Sequence, residues 1–321
     1  MTPRAAARAA EKVVIPRDVD QARVVVTMGA APREVPLTNL RKPFWPDLGV
    51  TKGDLLRYYA DVAHALVPHL RGRAMVMKRY PHGVAGSFFF MKRIPEPHPE
   101  WIRTCSITHA SGNVIDFPIV DDLASLLWIV NLGCIDLNPW YATCDDVDRP
   151  DVLHFDLDPV PPAGFDRVRE AALLVRRGLE GLGMPCYAKT TGSKGIHVYV
   201  PIVRGPTQKQ VWGFAKLFAQ AIAQQRPDVV TAEYRIAKRP PGRVLVDYNQ
   251  NAWGRTLASV YSVRARPTPS VSMPVTWSRI ERGVKIEDFR IDNVPRLVRR
   301  NGDCWAPMLA ETDRVRLERF L

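Results

Sequence analysis

The segment VLHFDLD (152–158) restricts the possible folds of this chain more than any other feature. It is an apolar run that carries two aspartates two residues apart, and three prolines follow it. Residues i and i+2 of a strand share a face, so Asp156 and Asp158 point the same way while Phe155 and Leu157 enter a core. Adjacent carboxylates repel, and a divalent cation between them, Mg²⁺ or Mn²⁺ for oxygen ligands, relieves the repulsion. The alternative is a pair of solvated aspartates at the end of a strand.

A third carboxylate follows another apolar run. Asp247 comes directly after Val244, Leu245 and Val246. A charge there is costly unless it is paired or bound to a metal, and the alternative to a metal is a salt bridge to a nearby arginine. Three strand carboxylates together match the ligand set of a two-metal phosphoryl-transfer site.

The segment TTGSKGIH (190–197) joins two predicted strands and has the composition of a phosphate-binding loop. Its glycines allow the backbone to approach a phosphate, and Thr191, Ser193 and Lys194 add donors. It is not a Walker A loop, because G-x-x-x-x-G-K-[ST] is absent. The alternative is an ordinary polar hairpin followed by a half-buried His197.

The charge balance favours an anionic partner. Lys and Arg number 45 against 33 Asp and Glu, a formal net charge of +12, which is typical of proteins that bind polyanions such as nucleic acid. The five cysteines form no C-x-x-C pair, so a disulfide framework or zinc ribbon is not expected and a reducing cytoplasm is. No apolar run has the roughly 20 residues of a membrane span.

Three consecutive phenylalanines, 88–90, lie among lysines and arginines in the first half of the chain. On a strand at least one ring faces away from the core and can stack on a base. The alternative is burial on both faces.

The mixture of strand and helix patterns predicts an α/β (α+β mixed) protein. We expect a flexible tail over 1–22 and one catalytic domain over 23–321, with a first lobe over about 23–145 and a catalytic lobe over about 146–321. The predicted strands are 23–28, 74–80, 87–93, 113–120, 152–158, 186–190, 196–202, 243–248 and 256–263. The predicted helices begin at Thr51, Asp121, Phe165 and Thr207, and two short ones lie around 276–282 and 286–299.

HFDLDP, TTGSKGIH and VLVDYNQN together resemble the three-motif signature of archaeo-eukaryotic-type primase-polymerases. More narrowly, they resemble the polymerase domain of bacterial non-homologous end-joining ligase D and its stand-alone or ligase-C-associated actinobacterial relatives. The segments 37–59, 75–84 and 261–267 also fit, so the resemblance runs from about 35 to 300. It implies a two-lobed primase-polymerase fold with mixed or antiparallel sheets flanked by helices.

The resemblance also implies residue roles. Asp156, Asp158 and Asp247 are expected to hold two Mn²⁺ or Mg²⁺ ions. Nucleotide contacts are expected from Lys78, Asn138, Thr191, Ser193, Lys194, His197 and Arg264. Lys42 and Lys52 match lysines that bind the 5′-phosphate beyond a gap, and Phe89 and Phe90 match a pair that stacks on the template. Asn138 stands where ligase D polymerases carry the histidine of a Glu-x-His-type motif, and asparagine hydrogen-bonds without becoming a cation.

These expectations describe a DNA-dependent nucleotidyltransferase that fills short gaps or extends 3′ ends in repair, with NTPs preferred over dNTPs. Its expected partners are DNA with a gap, break or 5′-phosphate, a nucleotide, a separate ligase of the C or D type and an end-binding protein. We expect a monomer in the bacterial cytoplasm, associated with the nucleoid. The alternatives are a primer-independent primase, a non-catalytic 5′-phosphate-binding module for a repair ligase, and a DxD glycosyltransferase.

Overall fold

The structure, a computed structural model, describes residues 13–27 and 31–321. Its strands are β1 Ala22–Val26, β2 Arg33–Leu37, β3 Pro43–Trp45, β4 Val50–Thr51, β5 Met75–Arg79, β6 Phe89–Met91, β7 Thr104–Thr108, β8 Val114–Pro118, β9 Cys134–Pro139, β10 Val152–Pro159, β11 Tyr187–Thr190, β12 Ile196–Pro201, β13 Val230–Thr231, β14 Val244–Asp247 and β15 Pro274–Val275. Its α-helices are α1 Lys52–Leu66, α2 Leu123–Asn131, α3 Phe165–Gly181, α4 Gln208–Gln225, α5 Trp277–Glu281 and α6 Val294–Asn301.

The largest sheet has six strands in the order β13-β14-β10-β12-β11-β15. All its pairings are antiparallel except that of β13 with β14. Helices α3 and α4 cover one face, where the ring of Phe155 lies 4.9 Å from that of Phe218. Because side chains alternate along β10, the aspartates of this strand lie on the opposite face.

A second, three-stranded sheet has the order β6-β5-β9, with β6 at its edge. Helix α1 packs behind it, and its Tyr59 hydroxyl donates a 2.6 Å hydrogen bond to the Ile135 carbonyl of β9. The mixed α/β class with antiparallel sheets and flanking helices is therefore confirmed. The remaining ladders are the two-stranded pairs β1-β2, β3-β4 and β7-β8.

Helix starts follow the capping residues that the sequence supplies. Thr51, Asp122 and Thr207 are the N-caps of α1, α2 and α4, and each accepts a hydrogen bond from the backbone N–H three residues later. In each case the third helical residue hydrogen-bonds back to the cap backbone, which completes a capping box. The predicted starts of these helices are confirmed to within a residue or two.

The predicted strand over 256–263 is wrong. Tyr261 has a φ of +58°, which no strand residue adopts, so the segment cannot stay extended. Its backbone donors reach different neighbours, since Ser259 N–H bonds the Leu137 carbonyl and Tyr261 N–H bonds the Ser272 carbonyl. The segment connects the two larger sheets instead of joining either as a strand.

Other differences are smaller. The sequence prediction lacks seven of the observed strands, namely β2, β3, β4, β7, β9, β13 and β15. The region 286–299 contains a 3₁₀ turn at Ile286–Asp288 before α6. Met28, the last residue of the first predicted strand, and residues 1–12 of the predicted tail lie outside the described residues.

Residues 13–22 differ from the loose tail that the sequence predicts. Ile15 is only 4% exposed within the core, and the Arg57 guanidinium of α1 donates a 2.9 Å hydrogen bond to the Pro16 carbonyl. One disulfide, Cys105–Cys144, ties β7 to the segment after β9, where no disulfide framework was expected. In the described ranges, none of the helices combines the length and the apolar character needed to cross a bilayer.

The packing of α4 on the six-stranded sheet gives a stability prediction. Phe218→Ala removes a buried ring that contacts Phe155 and should lower the free energy of unfolding by about 3–5 kcal/mol. Leu217→Ala is the matched control, because the neighbouring Leu217 is 67% exposed and its loss should cost within about 0.5 kcal/mol. Urea denaturation monitored by circular dichroism measures both, and equal losses would contradict this packing.

Candidate active site

The predicted carboxylates meet on the uncovered face of the six-stranded sheet. Asp156 of β10 is directly opposite Asp247 of β14 in the ladder, and it is directly opposite His197 of β12 on its other side. Asp158 lies two residues further along β10 and therefore on the same face. The strand register thus brings together three acidic side chains from two segments that are separated by almost 90 residues.

The next strand adds a buried lysine to the same face of the sheet. Lys189 of β11 is opposite His197, and its ammonium donates to the Ala258 carbonyl at 2.8 Å and to Ser272 Oγ at 2.6 Å. His197 Nε2 lies 3.1 Å from Asp156 Oδ1. Burial, with the nearby Lys189 and Arg264 charges, holds the pKa of His197 well below its usual value, so the imidazole is neutral in this site.

Burial and neighbouring charge raise the pKa values of the three carboxyl groups. Burial raises the pKa of Asp156 to about 6. The Asp156 charge is the main cause that raises the pKa of Asp158 to about 7, with burial and Asp247 adding to it. Burial also raises the pKa of Asp247, against the hydrogen bonds it accepts. Without a counter-ion, ionising all three groups is therefore unfavourable.

The side chains fit a divalent cation in chemistry but do not converge into a closed ligand set. Asp156 Oδ1 is buried and accepts no hydrogen bond. Asp247 instead accepts from Asn249 N–H at 2.8 Å and from Gln250 Nε2 at 3.1 Å. Over residues 13–27 and 31–321, no group of three or more His, Cys, Asp or Glu side chains is arranged to hold an ion. An orphan carboxylate oxygen beside two further acids is nevertheless a donor set suited to Mg²⁺ or Mn²⁺.

The loop between β11 and β12 is shaped by its own threonine. Thr191 Oγ1 accepts hydrogen bonds from the N–H groups of Ser193, Lys194 and Gly195, at 3.1 to 3.2 Å. Gly192 has a φ of +63°. A Cβ on Gly195 would lie 2.2 Å from the Leu157 carbonyl, so only glycine allows this approach to the carboxylate strand.

A cleft of about 550 Å³ opens between the two larger sheets over these groups. Eight residues of the predicted site line it, namely Asp156, Asp158, Thr191, Ser193, His197, Arg264, Asn138 and Phe90. Lys194 is exposed outside this lining, where its charge favours the ionised form of Asp158. Asp247, Lys78, Phe89, Lys42 and Lys52 also lie outside the lining.

The opposite wall of the cleft is the three-stranded sheet. In its ladder Lys78 lies between Phe90 on β6 and Asp136 on β9. Asn138 shares a face with Asp136, and its amide nitrogen donates to the Asp136 carbonyl at 3.1 Å. Burial lowers the pKa of Lys78. Arg264 spans the cleft, because its guanidinium contacts Asp136 on this side and donates to the Thr191 carbonyl at 2.7 Å on the other.

The three phenylalanines project from the edge strand and its approach. They are 45–60% exposed, so burial on both faces is excluded. Phe90 lines the cleft, whereas Phe89 pairs with Arg79 across the ladder and lies 5.3 Å from its guanidinium. Because the side chains of successive strand residues point to opposite faces, Phe89 and Phe90, the two predicted stacking rings, lie on opposite sides of β6.

The two predicted phosphate-binding lysines lie together at the start of α1. The Lys52 backbone N–H donates to the Lys42 carbonyl at 2.9 Å. The Lys52 side chain is buried, and its ammonium donates to the Thr38 carbonyl at 2.6 Å. Burial and the neighbouring Lys42 charge lower the pKa of Lys52 to about 8, and Arg79 contributes to the same shift. An anion bound here would relieve this repulsion.

Sequence reasoning missed several residues of the cleft. Lys189 was read only as part of a strand, although a lysine between buried strand residues is a signal for an internal charge. Asp136 stands two residues before Asn138, and its alternation with apolar residues places the two on one face. Gln250 and Arg255 also line the cleft, and Gln250 in addition donates a hydrogen bond to Asp247. Nothing in their local sequence pattern singles them out.

Comparison with known proteins places this arrangement in context. Residues 51–305 match the family model described as LigD, primase-polymerase domain. The polymerase domain of Mycobacterium tuberculosis ligase D, solved in complex with DNA, superposes with a TM-score of 0.79. That match has 30% sequence identity and covers 86% of this chain and 98% of the solved chain.

Curated relatives agree with the structural match. The chain is 33% identical over 279 residues to the multifunctional non-homologous end joining protein LigD of Mycolicibacterium smegmatis, covering 86% of this chain and 36% of the relative. It is 29% identical over 266 residues to the bifunctional non-homologous end joining protein LigD of Bacillus subtilis, covering 83% and 42%. The chain therefore spans less than half the length of these relatives.

The raised pKa of Asp156 gives a prediction for the metal-free protein. A carboxyl group whose pKa is higher in the folded state than its unfolded value of 3.8 makes the folded protein less stable as the pH rises from 3.8 toward about 6. Asp156→Asn should therefore raise the free energy of unfolding at about pH 7.5 by on the order of 2 kcal/mol, and the gain should shrink toward about pH 4. Chemical denaturation in EDTA measures this.

Asp151→Asn is the matched control. Asp151 is also buried, but it pairs with Arg73 at 2.7 Å, and its pKa is lowered despite burial. Its neutralisation should destabilise the protein at about pH 7.5, opposite in sign to Asp156→Asn. Loss of stability in both variants would contradict the unfavourable burial of the Asp156 carboxylate.

Proposed function

The chain belongs to the LigD primase-polymerase family, and we propose that it is a DNA-dependent nucleotidyltransferase that fills short gaps or extends 3′ ends during DNA repair. The observation that carries this proposal is the strand register that sets Asp156 between Asp247 and His197, facing a cleft bordered by a phosphate-type loop. A +12 chain with this cleft suits a polyanionic template and an anionic nucleotide.

Asp156, Asp158 and Asp247 are the residues proposed to hold two Mn²⁺ or Mg²⁺ ions. Bound divalent ions supply activation of a 3′-hydroxyl and charge neutralisation on a triphosphate. Asp247 accepts hydrogen bonds from Asn249 N–H and Gln250 Nε2 in its own loop, so an ion bound there would share or replace these contacts. The raised pKa values of Asp156 and Asp158 support a need for positive charge here.

The rest of the cleft is suited to binding a triphosphate. Ser193 and Arg264 line the cleft, and Lys194 lies beside Asp158 at its edge, where their donors can bind phosphate oxygens. His197 is neutral, so it can donate one hydrogen bond to the nucleotide without adding charge. Lys78 and Asn138 complete the proposed contacts from the opposite wall.

The two faces of the edge strand β6 favour the proposal of a gapped DNA substrate over other nucleic acids. Phe90 faces the nucleotide cleft, while Phe89 faces Arg79, whose charge acts on Lys52. We place the template base beside Phe90 and the downstream duplex beside Phe89, with its 5′-phosphate at Lys42 and Lys52. The proposed gap then straddles β6.

Two further parts of the proposal rest on the family resemblance. These are a preference for NTPs over dNTPs and cooperation with a separate C- or D-type DNA ligase that seals the product. An end-binding protein at the break and a site of action at the bacterial nucleoid, where the DNA substrate lies, belong to the same proposal. The solved relative in complex with DNA supports the choice of DNA as partner.

Primer extension tests the activity. On a 5′-phosphorylated gapped duplex with Mn²⁺ and NTPs, Asp156→Ala and Asp158→Ala should each reduce the extension rate by at least about 10³-fold, because charge neutralisation in the transition state is lost. Asp166→Ala, an exposed aspartate at the start of α3 on the far face of the sheet, should extend like wild type. Extension by the Asp156 and Asp158 variants at the wild-type rate would refute the assignment. Omitting the primer separates a primase, which would still make dinucleotides.

The 5′-phosphate site has its own test. Lys52→Ala should remove most of an about tenfold preference for a 5′-phosphate over a 5′-hydroxyl on the downstream strand, measured as DNA dissociation constants by fluorescence anisotropy. Lys209→Ala is the control, since this exposed lysine lies on α4 behind the sheet. A 5′-phosphate preference that survives Lys52→Ala unchanged would contradict this placement.

A further inference from the structure

Asp136 is a buried carboxylate at the centre of the wall opposite the metal-type aspartates. It lies on β9, only 2% exposed, between Lys78 of β5 and the segment that carries Arg264. Its Oδ2 lies 3.3 Å from Arg264 Nε and 3.8 Å from Lys78 Nζ. Its Oδ1 accepts a 3.2 Å hydrogen bond from Ala265 N–H.

These contacts orient two cations toward the cleft without placing Asp136 in it. Arg264 lines the cleft, whereas Asp136 does not. The guanidinium is fixed at both ends, by Asp136 through Nε and by the Thr191 carbonyl through Nη1 at 2.7 Å. A guanidinium held in this way loses less conformational freedom when it binds a phosphate.

The irregular path of the 256–263 segment leaves Arg264 outside the strands of either sheet. Tyr261, at a φ of +58°, turns the chain just before Arg264. The backbone here is held by bonds from Val263 N–H to the Tyr59 hydroxyl, from Arg264 N–H to the Ser270 carbonyl and from Ala265 N–H to Asp136. Asp136 thus contacts, from the facing sheet, both the backbone beside Arg264 and its guanidinium.

We infer that Asp136 is a positioning residue for the incoming nucleotide, which aims Arg264, and to a lesser degree Lys78, at the triphosphate. The inference rests on the proposed nucleotidyl transfer and adds a determinant of nucleotide affinity to it. Removing the Asp136 charge leaves Arg264 free to turn away and weakens nucleotide binding, while the DNA-binding surfaces on β6 and α1 stay intact.

The test compares Asp136→Asn with wild type in gapped-duplex extension with Mn²⁺ and ATP. KM for ATP should rise about tenfold or more, because a charge-assisted contact is lost, while the dissociation constant for gapped DNA changes within about twofold. Asp136→Ser, a second neutral variant, should show the same rise. Asp136→Glu keeps the charge and should restore KM to within about threefold of wild type.

Two comparisons separate positioning from simple stability. Asp151→Asn breaks another buried aspartate–arginine contact outside the cleft, so it should lower the unfolding midpoint and leave KM unchanged. In an Arg264→Ala background, adding Asp136→Asn should raise KM by no more than about threefold, because its main target is gone. An unchanged KM in both neutral variants, or the full rise in the Arg264→Ala background, would overturn the inference.

The proposed function fails differently. If wild type neither extends the gapped duplex nor binds a fluorescent ATP analogue in the presence of Mn²⁺, nucleotidyl transfer is refuted, and the inference about Asp136 falls with it. If wild type extends and the Asp136 variants match its KM, only the inference fails.

Discussion

Burial of three carboxylates on one sheet face is the constraint on which this structure depends. Burial raises the pKa of Asp156 and of Asp247, and the charge of Asp156, followed by burial, raises the pKa of Asp158. The protein offsets part of that cost with nearby cations, since Lys189 and Arg264 act on Asp156 and Lys194 acts on Asp158. The remaining cost is what a bound divalent ion would relieve under the proposed phosphoryl transfer.

The two larger sheets contribute different residues to the cleft. The six-stranded sheet supplies the carboxylates and the phosphate-type loop, and α3 and α4 pack behind it. The three-stranded sheet supplies Lys78, Asp136 and Asn138, together with the phenylalanine edge. Arg264 contacts both walls, so its position depends on how the sheets face each other.

Strand and helix periodicity predicted the central strands β10, β12, β11 and β14 of the six-stranded sheet and strands β5 and β6 of the other, but not β9, β13 or β15. The apolar alternation around Asp156 and Asp158 set their common face, and capping residues marked α1, α2 and α4. The failure at 256–263 has a physical cause, because TLASVYSV has strand composition while the positive φ of Tyr261 and its scattered hydrogen bonds are tertiary effects. The roles of Lys189 and Asp136 were also out of reach, since each depends on partners more than 65 residues away.

The central claim is that these acidic side chains gather to bind a pair of divalent ions. Anomalous diffraction from crystals grown with Mn²⁺, a non-hydrolysable NTP and gapped DNA tests it most directly. The account predicts two manganese peaks that share Asp156 and Asp158, with Asp247 turned from Gln250 to one of them. Manganese bound elsewhere, with the Asp247 contact to Gln250 intact and the cleft free of metal, would contradict it.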